Sequence, residues 1–284
     1  LKVWTVQRLL KWTEEYLEKR GISSPRWEAE QLLAHLIDAN RLDLYLDPHR
    51  PLLPQELTTF KDLMKRRTQG EPLQYITGRQ GFWKHEFRVE PGILIPRSDS
   101  EVLVQATLEG LKKIEYPRIL DVGTGTGCLI ISILADLPKA RGVATDIGTQ
   151  ALRLARGNAT RIKVQDRLSF VLGDLLTPFK EEAFHAIISN PPYVAEEEWD
   201  SLPKEVRDKE PPQALKGGKE GLFYLGRLIA QGWRHLLPGG FLIMEIGWQQ
   251  MDKVTDLFKG KPYTGIEFFS DLGGRDRMVL GRRN

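Results

Sequence analysis

The chain has 284 residues, 41% of them hydrophobic and 28% charged, proportions that exclude a disordered chain and at this length favour two domains over one. It has no run of about 18 apolar residues and no signal-peptide pattern at its start, so a cytoplasmic protein without a membrane partner is expected. A net charge of +3, one cysteine (Cys128) and five scattered histidines argue against a nucleic-acid arm, an internal disulfide and a metal site.

The front of the chain reads as helical. Val6, Leu9, Leu10, Thr13 and Leu17 recur at helical spacing, Ser24-Pro25 is an N-cap followed by a first-turn proline, and Ala29, Leu32, Leu33, Leu36 and Ile37 form a second stripe. Pro54 opens a third helix with Leu57, Phe60, Leu63 and Met64 on one face. The Lys65-Arg66-Arg67 run at its end complements the helix dipole more simply than it binds a polyanion. Residues 70–78 are turn-rich, and alternation over 82–95 around Pro91-Gly92 predicts a β-hairpin. The expected division is a small all-helical domain over 1–80, a hairpin linker over 81–95 and a second domain over 96–284. Ser98 and Glu101 have capping-box spacing and open that domain's first helix, which runs to about Ile114.

A β run over 118–122 leads directly into Asp121-Val122-Gly123-Thr124-Gly125-Thr126-Gly127 and then an apolar helix over 128–137. Glycines at such a strand–loop–helix junction let the backbone approach a ligand closely. Here they fall at every second position, with an aspartate two residues ahead of the first. That differs from the dinucleotide fingerprint: a carboxylate there repels a pyrophosphate but suits the zwitterionic end of a sulfonium cofactor. A second strand, 141–145, ends in Asp146, where a carboxylate can accept from ribose hydroxyls. A third, 168–172, runs into Gly173-Asp174-Leu175, an acid to hold an adenine amine beside an apolar residue to cover the ring. Cys128 reads as a small helix residue with no chemical role.

A fourth strand, 185–189, delivers Asn190-Pro191-Pro192-Tyr193 to the same edge. The two prolines fix the backbone, so the Asn190 side chain and the Pro191 carbonyl form a rigid pair of acceptors for the N–H groups of a planar amine or amide nitrogen. Tyr193 offers a flat wall. Residues 195–222, charged and rich in Pro and Gly, suggest a mobile cover or an ordinary surface loop. Strands over 239–247, 266–269 and 278–281 complete an α/β fold, a doubly wound, mostly parallel, seven-stranded, Rossmann-like sheet whose last two strands are antiparallel.

These motifs, together with GEPLQYITG, ILIPRSDSE, EPPQALKGGKEGL and FLIMEIG, resemble the release factor glutamine methyltransferases over nearly the whole chain. The resemblance implies S-adenosylmethionine as cofactor. It also implies methyl transfer to the amide nitrogen of the glutamine in the Gly-Gly-Gln loop of peptide chain release factors; the separation of the front helices from the cofactor motifs suggests that they recognise that protein. The resemblance assigns Asp121, Gly123, Thr124, Gly125, Thr126, Gly127, Asp146, Asp174, Leu175 and Asn190 to the cofactor, and Asn190, Pro191, Pro192 and Tyr193 to the glutamine. The family's usual P-R-P-E-T-E is Pro96-Arg97-Ser98-Asp99-Ser100-Glu101 here, which retains both acids. A DNA or RNA exocyclic-amine methyltransferase shares the Asn-Pro-Pro-Tyr chemistry, but would call for a basic patch or a base-recognition domain.

Overall fold

The computed structural model describes residues 3–271 and 273–284, and the chain divides at Gly78–Arg79 into two compact units. The first contains α1 (Val6–Glu18), α2 (Pro25–Leu36), the short α3 (Asp43–Leu46), α4 (Pro54–Thr68) and α5 (Leu73–Thr77). The stripes read from the sequence close on one another: Leu9, Leu10, Leu17, Leu32, Leu33, Phe60 and Leu63 share one apolar cluster. Thr13 joins this buried face because its hydroxyl donates back to the Leu9 carbonyl at 2.8 Å, which satisfies the polar group within the helix. Pro25 starts α2 as expected, although Ser24 makes no side-chain cap bond. The turn-rich stretch contains α5, closed by Gly78 at φ 71°. In the basic run, Arg66 grips Glu71 at 2.6 and 2.8 Å and the buried Arg67 grips Glu28 at 2.6 and 2.9 Å, so both arginines serve the unit's own packing.

The second unit opens with a hairpin, β1 (Arg79–Phe82) and β2 (His85–Arg88). Its turn is Trp83-Lys84, with Trp83 at φ 55°, and not Pro91-Gly92. Glu101 Oε1 accepts from the Trp83 backbone at 2.8 Å and Asp136 accepts from the Trp83 indole at 2.9 Å. Glu101 is therefore used to hold the hairpin turn rather than to close a capping box. Ser98–Ser100 forms a 3-10 turn leading into α6 (Glu101–Leu111). Phe82 and Phe87 lie in one core cluster with Leu103 and Ile131, so the hairpin is built into this unit rather than strung between domains.

Seven strands follow: β3 (Arg118–Val122), β4 (Arg141–Asp146), β5 (Leu168–Leu172), β6 (Phe184–Ser189), β7 (Leu236–Glu245), β8 (Tyr263–Ser270) and β9 (Asp276–Arg283). They lie in the order β5-β4-β3-β6-β7-β9-β8. The first five are parallel, and β9 is antiparallel to both neighbours. Between them run α7 (Cys128–Asp136), α8 (Thr149–Ile162), α9 (Lys204–Lys209), α10 (Phe223–His235) and α11 (Met251–Phe258). Strand side chains alternate between two cores. Ile119, Ala186, Ile188, Phe241 and Ile243 pack with residues of α6, α7 and α8, whereas Leu120, Ile187, Leu242 and Met244 pack with residues of α10 and α11. Burial on both faces explains why the central strands read as continuous apolar runs.

Asn158 of α8 joins the hairpin to the glycine loop. Its Nδ2 donates to the carbonyls of Arg88 and Thr126 at 3.1 and 2.9 Å, and its Oδ1 accepts from Arg88 N at 2.8 Å. Asn158→Ala strands these backbone groups inside the protein, and a loss of about 2–4 kcal/mol is expected. A denaturant midpoint equal to that of the parent protein would contradict this.

Candidate functional site

The parallel register sets Val122 opposite both Thr145 and Ser189, and Asp146 opposite Leu172, so four strands end at one level. Their loops surround a cavity of about 460 Å³ lined by residues 123–126, 146–148, 173–175 and 189–192. This is the crevice at which an open parallel sheet changes winding direction.

Gly123, Gly125 and Gly127 have φ of 72°, 53° and 81°, in the left-handed region that favours glycine. A Cβ on Gly127 would lie 2.7 Å from Ile131 Cδ1 and 3.1 Å from Ala155 Cβ, whereas one on Gly123 would meet nothing. Gly127 thus lets the helix pack and Gly123 keeps the loop edge bare. Gly123 N and Thr124 N both donate to the Thr145 carbonyl at 2.9 Å. Asp121 and Gly127 stand behind the loop and do not line the cavity. Asp121 Oδ2 accepts from Thr124 Oγ1 at 2.6 Å, while Oδ1 has no partner among the described residues. Burial pushes this carboxyl up to about 7; the Thr124 bond opposes the shift and the nearby Asp146 charge adds to it.

Asp146 accepts from Gly125 N at 2.9 Å through Oδ2 and from Gly148 N at 2.8 Å through Oδ1, which fixes its carboxylate at the cavity edge. Asp174 lines the cavity too, but its carboxylate is gripped by Arg227 at 2.7 and 3.3 Å, a partner that no local motif announces. Leu175 lines the wall at φ 48°, strained for a non-glycine residue. The sequence reading also missed Ile147 and Phe223, cavity residues that are 77% and 58% exposed. Ile147 carries a readable signal, an apolar residue directly after a strand-ending acid. Phe223 and Arg227 start a helix far along the chain and carry none.

Asn190, Pro191 and Pro192 line the cavity, but Tyr193 does not. The Tyr193 ring packs against the core on the α10 face, and its hydroxyl donates to Glu245 Oε1 at 2.8 Å. It borders a smaller void of about 40 Å³ with Asn190 and Glu245. The expected flat wall is therefore absent from the main cavity, because the hydroxyl is committed to a buried acid. Glu245 also accepts from Ser100 Oγ, and Asn190 Nδ2 donates to that same oxygen at 3.2 Å. Burial raises the Glu245 pKa, opposed by the Ser100 and Tyr193 hydrogen bonds and the Arg277 charge. Glu245 was not among the expected site residues, although it is the one charge in the apolar run F-L-I-M-E-I-G.

Much of the 195–222 stretch is folded against this loop. Glu210 is buried, bonded to Arg97 and accepting from Ile95 N at 3.2 Å. Val194 exchanges backbone bonds of 2.9 Å with Leu215 and Gly217. A Cβ on Gly221 would lie 2.0 Å from the Tyr193 carbonyl, which instead accepts from Gln250 Nε2 at 2.9 Å. Residues 210–222 thus brace the Asn-Pro-Pro-Tyr loop, and Pro211, Gln213 and Ala214 contribute to the cavity wall. Cys128 touches the cavity with a thiol that burial pushes up to about 12, too high for a thiolate nucleophile at neutral pH. Among the described residues no group of His, Cys, Asp or Glu is arranged to hold a metal ion, and no helix is long and apolar enough to cross a membrane.

The sheet order and the cavity at its carboxyl edge are those of a Rossmann-like fold, one shared with methyltransferases of known structure. A methyltransferase from Pyrococcus furiosus shares the fold at TM-score 0.50 and 18% identity, over 69% of this chain and 87% of that one. The ribosomal protein L11 methylase of Lactobacillus delbrueckii subsp. bulgaricus does so at TM-score 0.50 and 21% identity, over 70% and 85%. Residues 8–78 match the PrmC N-terminal domain and residues 98–206 the methyltransferase small domain. The release factor glutamine methyltransferase of Koribacter versatilis is 38% identical over 95% of both chains. That of Geobacter sulfurreducens is 36% identical over 99% of this chain and 98% of its own. The chain belongs to the release factor glutamine methyltransferase family.

Asp121 gives a pH prediction whose sign follows from its raised pKa. Its contribution to stability is complete below the unfolded value near 4 and is lost as pH rises through about 7. Asp121→Asn keeps an acceptor for Thr124 and cannot ionise. Its stability relative to the parent protein is therefore expected to rise across that window and level off above it; a flat difference in denaturant midpoints across the window would contradict the assignment.

Proposed function

We propose that this chain transfers a methyl group from S-adenosylmethionine to the side-chain amide nitrogen of the glutamine in the Gly-Gly-Gln loop of peptide chain release factors. One observation carries the reading: Asn190 and Pro191 border the same cavity as the glycine loop and Asp146, in a chain whose relatives are named for that reaction.

The residues present suit this cofactor. Gly123 leaves the loop edge bare, and the lone pairs of Asp146 not taken by Gly125 and Gly148 are available to ribose hydroxyls. The Asp121 carboxyl, with one oxygen unpartnered behind the loop, gives the glycine end a polarity that suits an ammonium group. Ile147, Leu175 and Phe223 provide apolar wall for a purine, with the Asp174–Arg227 pair beside it. When bound, the cofactor supplies an electrophilic methyl group on a sulfonium.

The chain's own part is orientation. Asn190 Oδ1 and the Pro191 carbonyl each accept one N–H of the glutamine amide, turning the nitrogen lone pair away from these acceptors and toward the cofactor side. The same two oxygens stabilise the positive charge that builds on nitrogen. A cationic amide is acidic enough to lose its proton to water, so the site needs no strong base. We assign recognition of the release factor to the front unit, where Leu42 and Leu46 are 75% and 80% exposed at helical spacing.

Mass spectrometry of a purified release factor incubated with the protein and S-adenosylmethionine is expected to show one methyl group on the Gly-Gly-Gln glutamine. Asn190→Ala is expected to lower the rate by about a hundredfold or more. An unmodified release factor beside methylated DNA or RNA would overturn the reading. Leu46→Asp is expected to raise KM for the intact release factor by about tenfold while leaving a short Gly-Gly-Gln peptide unaffected; an equal effect on both would remove the front unit from recognition.

A further inference from the structure

Ser100 and Glu245 border the site without an assigned role, yet they determine which end of the Asn190 amide faces the cavity. The inference rests on the reading above, in which Asn190 must present its oxygen. A carboxamide has an accepting oxygen and a donating nitrogen of similar size, and only the oxygen can hold a substrate N–H. If the group turned over, a donor would face a donor.

With Glu245 ionised, the hydrogens around it leave a single arrangement. The carboxylate sits buried at the end of β7 with each oxygen taken by one hydroxyl: Tyr193 Oη at 2.8 Å on Oε1, and Ser100 Oγ on Oε2. A serine hydroxyl has one hydrogen. Once that is given to Glu245, Ser100 offers only lone pairs, so whatever meets it must be a donor. Asn190 Nδ2 meets it at 3.2 Å, which leaves Oδ1 as the branch available to the substrate. Tyr193 holds the far oxygen of Glu245, so the carboxylate cannot swing away. Burial works against the ionised state, and the Ser100 and Tyr193 hydrogen bonds and the charge of Arg277 on β9 work for it, while the Asp99 charge opposes it.

We propose that Ser100 and Glu245 are positioning residues: Glu245 orients the Ser100 hydroxyl, and Ser100 locks the Asn190 amide with Oδ1 toward the substrate nitrogen. Ser100→Ala leaves the amide free to turn over. Glu245→Gln, of the same shape, introduces an N–H that can reverse the Ser100 hydroxyl and with it the amide. Ser100→Thr keeps both the hydroxyl and the lock.

The test is steady-state methylation of a purified release factor by the full-length protein and each variant, with S-adenosylhomocysteine affinity measured by calorimetry. Ser100→Ala and Glu245→Gln are expected to lose about tenfold or more in kcat, with KM and S-adenosylhomocysteine affinity within about threefold of the parent protein. Ser100→Thr is expected to restore most of the rate. A kcat for Ser100→Ala within about threefold of the parent, while Asn190→Ala is inactive, would overturn the lock and leave the function standing. An active Asn190→Ala would remove the role assigned to Asn190 and the lock with it, whereas a parent protein that leaves the release factor unmethylated would overturn the function itself. If Ser100→Ala no longer binds S-adenosylhomocysteine, Glu245→Gln decides by the same criteria: an unchanged kcat there defeats the lock.

Discussion

Between β3 and β6 the parallel sheet changes its direction of winding. The chain leaving β3 turns into α7 on one face, while the chain leaving β6 runs on to α10 on the other. The two departures open a gap at the carboxyl edge that no strand connection fills. Because the strands are in register, their ends reach that gap at one level. A strand slipped by one residue would exchange its two faces and remove its loop from the cavity. The positions of the glycine loop, Asp146, Asp174 and Asn190 all depend on this arrangement.

Around the gap the protein holds five carboxylates, of which Asp121, Glu210 and Glu245 are buried, and treats each differently. Asp146 is held by two backbone N–H groups and Asp174 by an arginine at the surface. Asp121 has one hydroxyl donor and one bare oxygen, and burial shifts it strongly. Glu245 has two hydroxyl donors, and Glu210 has an arginine and a backbone N–H. Buried acids persist where donors compensate for lost water. Glu245 holds the Asn-Pro-Pro-Tyr loop through Tyr193 and Ser100, and Glu210 holds Ile95 and Arg97 of the neighbouring segment, whose Ile95 and Pro96 line the cavity. The loop's rigidity thus comes from groups distant in sequence as well as from its prolines.

Local physics explains what the sequence could show. The strands were readable because burial on both faces demands apolar runs, and the glycine loop because its backbone angles exclude most side chains. Local alternation points to a hairpin turn at Pro91-Gly92, but Glu101 and Asp136 hold the turn at Trp83-Lys84 from outside the local sequence. The capping box failed for the same reason, since Glu101 had a better use. Tyr193 was readable as an aromatic beside the site, but not as a donor to an acid 52 residues away. Arg227 meets Asp174 across 53 residues. Pairs made by tertiary structure leave no periodicity behind, and this part of the site was not legible.

The most direct measurement is a crystal structure of the protein with S-adenosylhomocysteine and a peptide containing Gly-Gly-Gln. The expected result is the adenosine end beside Asp146, Ile147 and Leu175, with the glutamine amide nitrogen within hydrogen-bonding distance of Asn190 Oδ1 and the Pro191 carbonyl oxygen. A glutamine amide bound elsewhere, or an Asn190 side chain presenting its nitrogen to the cavity, would contradict it.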